Sequence, residues 1–245
     1  MVQPLFDERQ QALHRARAGR MGWRTFLHQR AIEDVVDRLG VIQRRFERAL
    51  VTGCPEALAP VVGGVAATVE HRASPAALEP DDLGRFDLAL MIGGLEGAND
   101  PRGWLHAMRA VLAPDSLLLG AMIGGDSFPG LSRAMLAADL AQGSGAAPRV
   151  HPRIEASAVA ALVSDAGFVM PVVDVDRVTL SYRRFDGLVH DLRGMAGGNA
   201  LSQRSRRPLG RLALAAARAA FEEVGEESVE LIHFLGWSPS AAAHR

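Results

Sequence analysis

Apolar positions recur at helical spacing over residues 5–39, where Phe26, Leu27, Ile32, Val35, Val36 and Leu39 share a face and Gly40 offers a stop. The pattern then shortens into strand-like runs. Residues 48–52 read as a first strand and 65–69 as a second, with a short helix over 56–62 between them. Residues 87–92 and 117–123 are continuous apolar runs of the kind that parallel strands buried on both faces carry. Between them Asn99-Asp100-Pro101 opens a helix over 101–112, an acidic cap followed by a proline that suits the first turn. The second half predicts a helix over 128–142, a small-residue segment at 143–148 and a capped helix over 157–166 ended by Gly167. A long strand follows through Val172, Val173, Val175, Val178 and Leu180, in which Asp174 and Asp176 alternate with valines and mark a wet face. Helices at 185–195 and 209–224 precede a last strand at 229–235. Strands alternating with helices predict a doubly wound, mostly parallel α/β sheet, Rossmann-like, with the two late strands closing it as a hairpin around a helical excursion. The expected organisation is one domain over 1–245, with a helical preface at 1–40 and a helical insertion at 181–228.

Composition narrows the possible chemistry. With 245 residues and 48% hydrophobic content, the chain is long enough for one substantial core. All 27 basic residues are arginine, so a mechanism needing a Schiff-base or phosphate-loop lysine is excluded; GC-rich coding is the simplest source of that bias. The formal net charge of -1 gives no global pull toward nucleic acid. The charge-free apolar stretch at 116–125 is half of the ~20 residues a spanning helix needs, so no membrane span is expected. Asp7 and Glu8 lie where a secretory signal would be apolar, and a single cysteine, Cys54, rules out an internal disulfide, so a reducing cytoplasm is the expected compartment.

The segment 49–57, Ala-Leu-Val-Thr-Gly-Cys-Pro-Glu-Ala, stands where a nucleotide-type cofactor loop should be. Such loops read acid-x-Gly-x-Gly-x-Gly, because glycines let the backbone approach the ligand and turn tightly from strand to helix. Here Gly53 remains, Val51 takes the acid's place, and Pro55 and Ala57 replace the later glycines. One N–H donor and two flexible points are lost.

Further segments carry a resemblance: Arg44-Arg45-Phe46, Phe86-Asp87-Leu88, Asn99-Asp100-Pro101, Leu112-Ala113-Pro114-Asp115, Gly124-Gly125-Asp126-Ser127, the run from Pro171 to Asp176, Asp191-Leu192-Arg193-Gly194-Met195, Asn199-Ala200-Leu201 and Gly236-Trp237-Ser238-Pro239. Together with the loop they resemble class I S-adenosylmethionine-dependent methyltransferases, above all the branch with malonyl-carrier-protein methyltransferase and a mitochondrial complex I assembly factor described as an arginine hydroxylase. The resemblance implies a seven-stranded sheet with S-adenosylmethionine across the strands' carboxyl ends. It implies Gly53, Cys54 and Pro55 at the methionine part, Glu70 near the ribose, and Asp82, Leu83, Ile92 and Gly93 framing the adenine. Departures accompany it: Arg72 falls at the place of the ribose-binding acid, and Gly97 where an aromatic often stands. A protein or acyl-carrier-protein partner is implied, with Arg193, Asn199, Arg204, Arg206 and Arg207 as its contacts.

Other constellations read more plainly. Cys54 lies between strand and helix, but no histidine adjoins it in sequence. His14, His28, His71, His106, His151, His190, His233 and His244 show no metal-ligand spacing, and Asp81-Asp82 and Asp174/Asp176 come with no further ligands, so no metal is expected. Three readings stay open: a methyltransferase with a degenerate loop, a non-catalytic assembly or chaperone-like factor, and a hydroxylase.

Overall fold

The computed structural model describes residues 3–143 and 145–240. Cα clustering divides the chain into two compact units. The sheet unit comprises Phe26–Gly125, Ile154–Asp176 and Leu231–Arg245; the helical unit comprises Met1–Thr25, Asp126–Arg153 and Arg177–Glu230.

The helical preface is two helices. α1 (Glu8–Met21) starts at Asp7, whose side chain accepts the Gln10 N–H at 3.0 Å, and stops at Gly22, whose φ of 73° turns the chain away. α2 (Phe26–Val41) buries Leu27, Ala31, Ile32, Val35 and Leu39, the stripe anticipated from the pattern. α1 falls in the helical unit and α2 in the sheet unit.

One six-stranded sheet has the order β2-β1-β3-β4-β6-β5, from β1 (Phe46–Thr52), β2 (Ala66–Arg72), β3 (Phe86–Ile92), β4 (Leu112–Gly124), β5 (Val169–Ser181) and β6 (Glu226–Trp237). β2, β1, β3 and β4 run parallel, with Val51 opposite both His71 and Leu90, and Leu90 opposite Leu119. The expected seven strands are therefore six. Residues 73–85 join β2 to β3 through two 3₁₀ turns, Pro75–Ala77 and Pro80–Asp82, and a positive-φ glycine, Gly84. A further parallel strand needs a crossover of a dozen or more residues on each side, which that segment cannot hold.

The remaining helices are α3 (Pro101–Val111), α4 (Pro129–Gln142), α5 (Ala156–Asp165), α6 (Phe185–Gly194) and α7 (Arg211–Glu222). In the sheet unit, Leu50, Ala89, Met91, Leu118 and Met122 from the strands form one buried cluster with Leu105 and Met108 of α3 and Val159 and Val163 of α5. Gly120 is required there, because a Cβ on it would overlap the Phe234 ring. In the helical unit α4 packs on α7, and alanines 134, 138, 213 and 217 on the buried sides leave room for close approach.

α4 begins at Phe128, which has φ 62° and whose side chain gives no cap. The missing acceptor comes from Glu227, 2% exposed, whose carboxylate takes the N–H groups of Gly130 at 3.0 Å, Leu131 at 2.7 Å and Ser228 at 3.0 Å. Replacing Glu227 by alanine leaves those donors unpaired in a buried place. A destabilisation of about 3 kcal/mol is expected, measured by urea unfolding against wild type, and a loss under about 0.5 kcal/mol would show that water replaces the carboxylate.

Candidate functional site

The carboxyl ends of β1 and β3 meet in two glycine turns. Gly53, directly after β1, has φ 88°; a Cβ on it would overlap the Gly93 carbonyl and come within 2.9 Å of that of Ile92. Gly93 and Gly94 after β3 have φ 80° and 88°, and the Gly93 N–H donates to the Ala121 carbonyl at 2.6 Å. Only glycine satisfies both the torsion and the contact at 53. Gly53, Ile92 and Gly93, named separately from the sequence, are thus one piece of backbone.

His28 joins them from the first turn of α2. Its Nε2 lies 3.6 Å from where a Gly93 Cβ would be, and its Nδ1 is buried with no hydrogen-bond partner among the described residues. Burial pushes its pKa down to about 4, so the ring is neutral at ordinary pH. Trp104 lies 3.4 Å from the corresponding point on Gly94, and Glu96 3.8 Å from that on Gly93. Sequence reasoning missed these three. His28 belongs to the preface by position, and no spacing links it to a turn 65 residues later.

Cys54 is buried, and burial pushes its thiol up to about 11, so it is no ready nucleophile. Its carbonyl accepts from His71 Nε2 at 2.9 Å. Pro55 opens Glu56–Val62, a 3₁₀ helix with Pro60 inside rather than an α-helix. Two prolines in this stretch withhold N–H groups, so the turn gains little of the helix dipole that such loops supply.

The acids lie on β2 and beyond it. Glu70 accepts from Arg85 through both guanidinium Nη atoms and from Arg72 at 3.4 Å. Arg72 also grips Asp82, with Nη2 2.7 Å from Oδ1 and Nε 3.2 Å from Oδ2, and Asp82 further accepts the Glu79 N–H at 3.0 Å. Asp82 is 1% exposed; burial alone would raise its pKa, but the Glu79 N–H and the Arg72 and Arg85 guanidinia hold it below the usual range. Leu83, beside it, is exposed. Thr52 and Arg72 are register partners, so this lattice and the glycine turns share one end of β2, β1 and β3.

In the helical unit Asn199 donates to the Pro148 carbonyl at 2.9 Å and accepts from the Leu201 N–H at 3.0 Å. Arg204 donates to Asp7 and Gln10 at 3.0 Å and to the Leu201 carbonyl at 2.9 Å. Both are tied into their own unit, whereas Arg193, Arg206 and Arg207 are exposed. Asp174 and Asp176 are not bare carboxylates: Arg38 reaches Asp174 at 2.8 Å, and Arg30 reaches Asp176 at 2.6 Å. Among the described residues no group of three or more His, Cys, Asp or Glu is placed to hold a metal ion, and no helix is long and apolar enough to cross a membrane. His244 and Ser144 lie outside the described residues.

The fold is the Rossmann-like methyltransferase fold. A crystal structure from Bacillus halodurans C-125, provisionally named a methyltransferase, superposes with a TM-score of 0.53 over 83% of this chain and 98% of that one, at 12% identity. No protein-family model matches. The chain is homologous to two groups of proteins. It is 32% identical to the mitochondrial arginine-hydroxylase NDUFAF5 of Danio rerio over 161 residues, 63% of this chain and 50% of the relative. It is 28% identical to the malonyl-[acyl-carrier protein] O-methyltransferase of Laribacter hongkongensis over 167 residues, 66% of this chain and 54% of the relative. The chain spans about half the length of these relatives.

Two measurements test the site's electrostatics. A histidine that folds with a pKa of about 4 against 6.5 unfolded binds its proton more readily when unfolded. Stability should therefore fall as pH drops from 6.5 toward 4, at up to about 1.4 kcal/mol per pH unit per such group. His151, also pushed down to about 4 mainly by burial, adds to the same window. His28→Gln should flatten that limb in urea unfolding run at a series of pH values; an unchanged slope would place the ring in contact with solvent. Native Cys54 should resist iodoacetamide at pH 8 and react once the protein is unfolded, read by mass spectrometry.

Proposed function

We propose that this chain acts as an S-adenosylmethionine-dependent methyltransferase on a protein or acyl-carrier-protein acceptor in the cytoplasm, with the Gly53 turn against the methionine part of the cofactor and Ile92 and Gly93 framing its adenine. The observation that carries the reading is the pair of glycine turns at the carboxyl ends of β1 and β3, beside a buried His28 Nδ1 that has no hydrogen-bond partner among the described residues. That end fits the cofactor. The ribose end fits it less well: Glu70 already takes three arginine N–H groups, leaving about one of a carboxylate's four acceptor sites for a diol.

When bound, S-adenosylmethionine supplies an electrophilic methyl group, and the protein's task is to align the acceptor with it and exclude water. Neutral His28 can accept a hydrogen bond from an incoming N–H or O–H without adding positive charge beside a sulfonium. The backbone turns hold the floor of the site rigid, and Trp104 walls it at Gly94.

The arginine lattice favours a second reading, an assembly or chaperone-like factor that keeps the fold and has given up the cofactor. Calorimetric titration of the stripped protein with S-adenosylmethionine and S-adenosylhomocysteine separates the two. Micromolar binding of both ligands is the expected result. Absence of heat up to millimolar ligand would overturn the first reading in favour of the second.

A further inference from the structure

The near-zero net charge hides a segregation. By sequence the helical unit carries seventeen arginines against eleven Asp and Glu, and the sheet unit ten against seventeen. Part of the helical unit's positive charge is neutralised internally: Arg24 pairs with Asp191, Arg149 with Asp139, Arg177 with Glu230, Arg204 with Asp7 and Arg218 with Asp186. Arg9, Arg17, Arg20, Arg206 and Arg207 are exposed, and their side chains make no hydrogen bond or ion pair with the described residues.

Two stretches distant in sequence supply these five, and the backbone laces them together. Phe6 and Leu201 form an antiparallel bridge, the Asp7 N–H donates to the Ala200 carbonyl at 2.8 Å, and the Ser202 N–H donates to that of Leu5 at 2.9 Å. Arg204 forks over Asp7 and Gln10 and fixes the chain that leads to Arg206. Arg206 comes close enough for its charge to act on the Asp7 carboxyl, as that of Arg17 does on His14. On α1 the spacing of Arg9, Leu13, Arg17 and Arg20 sets them along one side of the helix, and Leu13 is 55% exposed among the arginines. Leu5, next to the bridge, is 49% exposed.

We propose that α1 and residues 202–211 form one docking face for an acidic protein segment, a helix that presents glutamate or aspartate around a leucine stripe. Guanidinium forks match carboxylates in pairs, and the bare leucines meet the apolar stripe. Nucleic acid fits less well, since neither 9–20 nor 202–211 contains a Phe, Tyr or Trp on which a base could stack. A lipid surface fits less well too, because Leu5, Leu13 and Met21 are scattered and give no continuous apolar face to bury. The docking face does not depend on the glycine turns and stands whether or not a cofactor binds there.

Fluorescence anisotropy on the full chain tests it. The probe is a labelled, glutamate-rich helical peptide with a leucine stripe; its glutamine analogue and a mixed-sequence single-stranded RNA are the comparisons. The expected result is binding of the acidic peptide that weakens with salt and exceeds binding of both comparisons. The double substitution Arg9→Ser with Arg206→Ser should weaken it about tenfold. Arg45→Ser with Arg48→Ser, which removes two exposed arginines from the sheet unit, should leave it unchanged. Equal losses in both doubles, tighter binding of the RNA, or salt-sensitive dimers in sedimentation that exclude the peptide would each overturn the proposal.

Discussion

The contact between the turns at Gly53 and Gly93 governs the carboxyl-end face of the sheet, where the candidate site lies. It exists because β1 and β3 are parallel neighbours whose register ends them at the same level, Thr52 beside Met91. Each turn has a positive φ, and neither has a side chain to hold the other away. Any residue with a Cβ at 53 must push against the Ile92 and Gly93 carbonyls, which are part of the sheet and cannot yield. A loop that has exchanged two glycines for proline and alanine has therefore kept the one that the packing of the fold itself demands.

A chain whose only strong base is arginine uses it for several distinct purposes. At β2 the planar forks of Arg72 and Arg85 bind two acids together. On α2, Arg30 and Arg38 reach the acids of β5 and make the wet face of that strand a row of ion pairs. Lysine would serve poorly in the first of these roles, because a point charge cannot bridge two carboxylates in a plane. The bias has structural consequences whatever its genetic origin.

Much of the fold was legible because its cues are local. Asp100 before Pro101 caps α3 as read, with its side chain accepting the Gly103 N–H at 2.8 Å. The apolar runs around Leu90 and Leu119 became neighbouring buried strands, as their lack of alternation indicated. The split of the preface was harder to see: amphipathic spacing continues across Gly22, and only the torsion of that glycine ends α1. The site was legible by half. Gly53, Ile92 and Gly93 follow from strand ends, whereas His28 and Trp104 arrive by tertiary packing that no spacing encodes. Glu70 and Asp82 were found as acids, but their arginine partners lie up to fifteen residues away, and nothing in the sequence shows them paired.

The shortened sheet explains why those acids are engaged. Among the described residues no strand lies beyond β2, so β2 is the edge of a parallel sheet, and an exposed edge must be blunted against pairing with other chains. Pro75 and Pro80 in the following segment cannot donate to a new strand, and the Glu70, Arg72, Asp82 and Arg85 lattice adds charge there. Glu70 is one arm of the clamp that finishes the sheet, and on the proposed methyltransferase reading the same carboxylate would also have to meet a ribose diol. Under that reading, cofactor affinity and integrity of the sheet edge would compete for the same oxygen atoms.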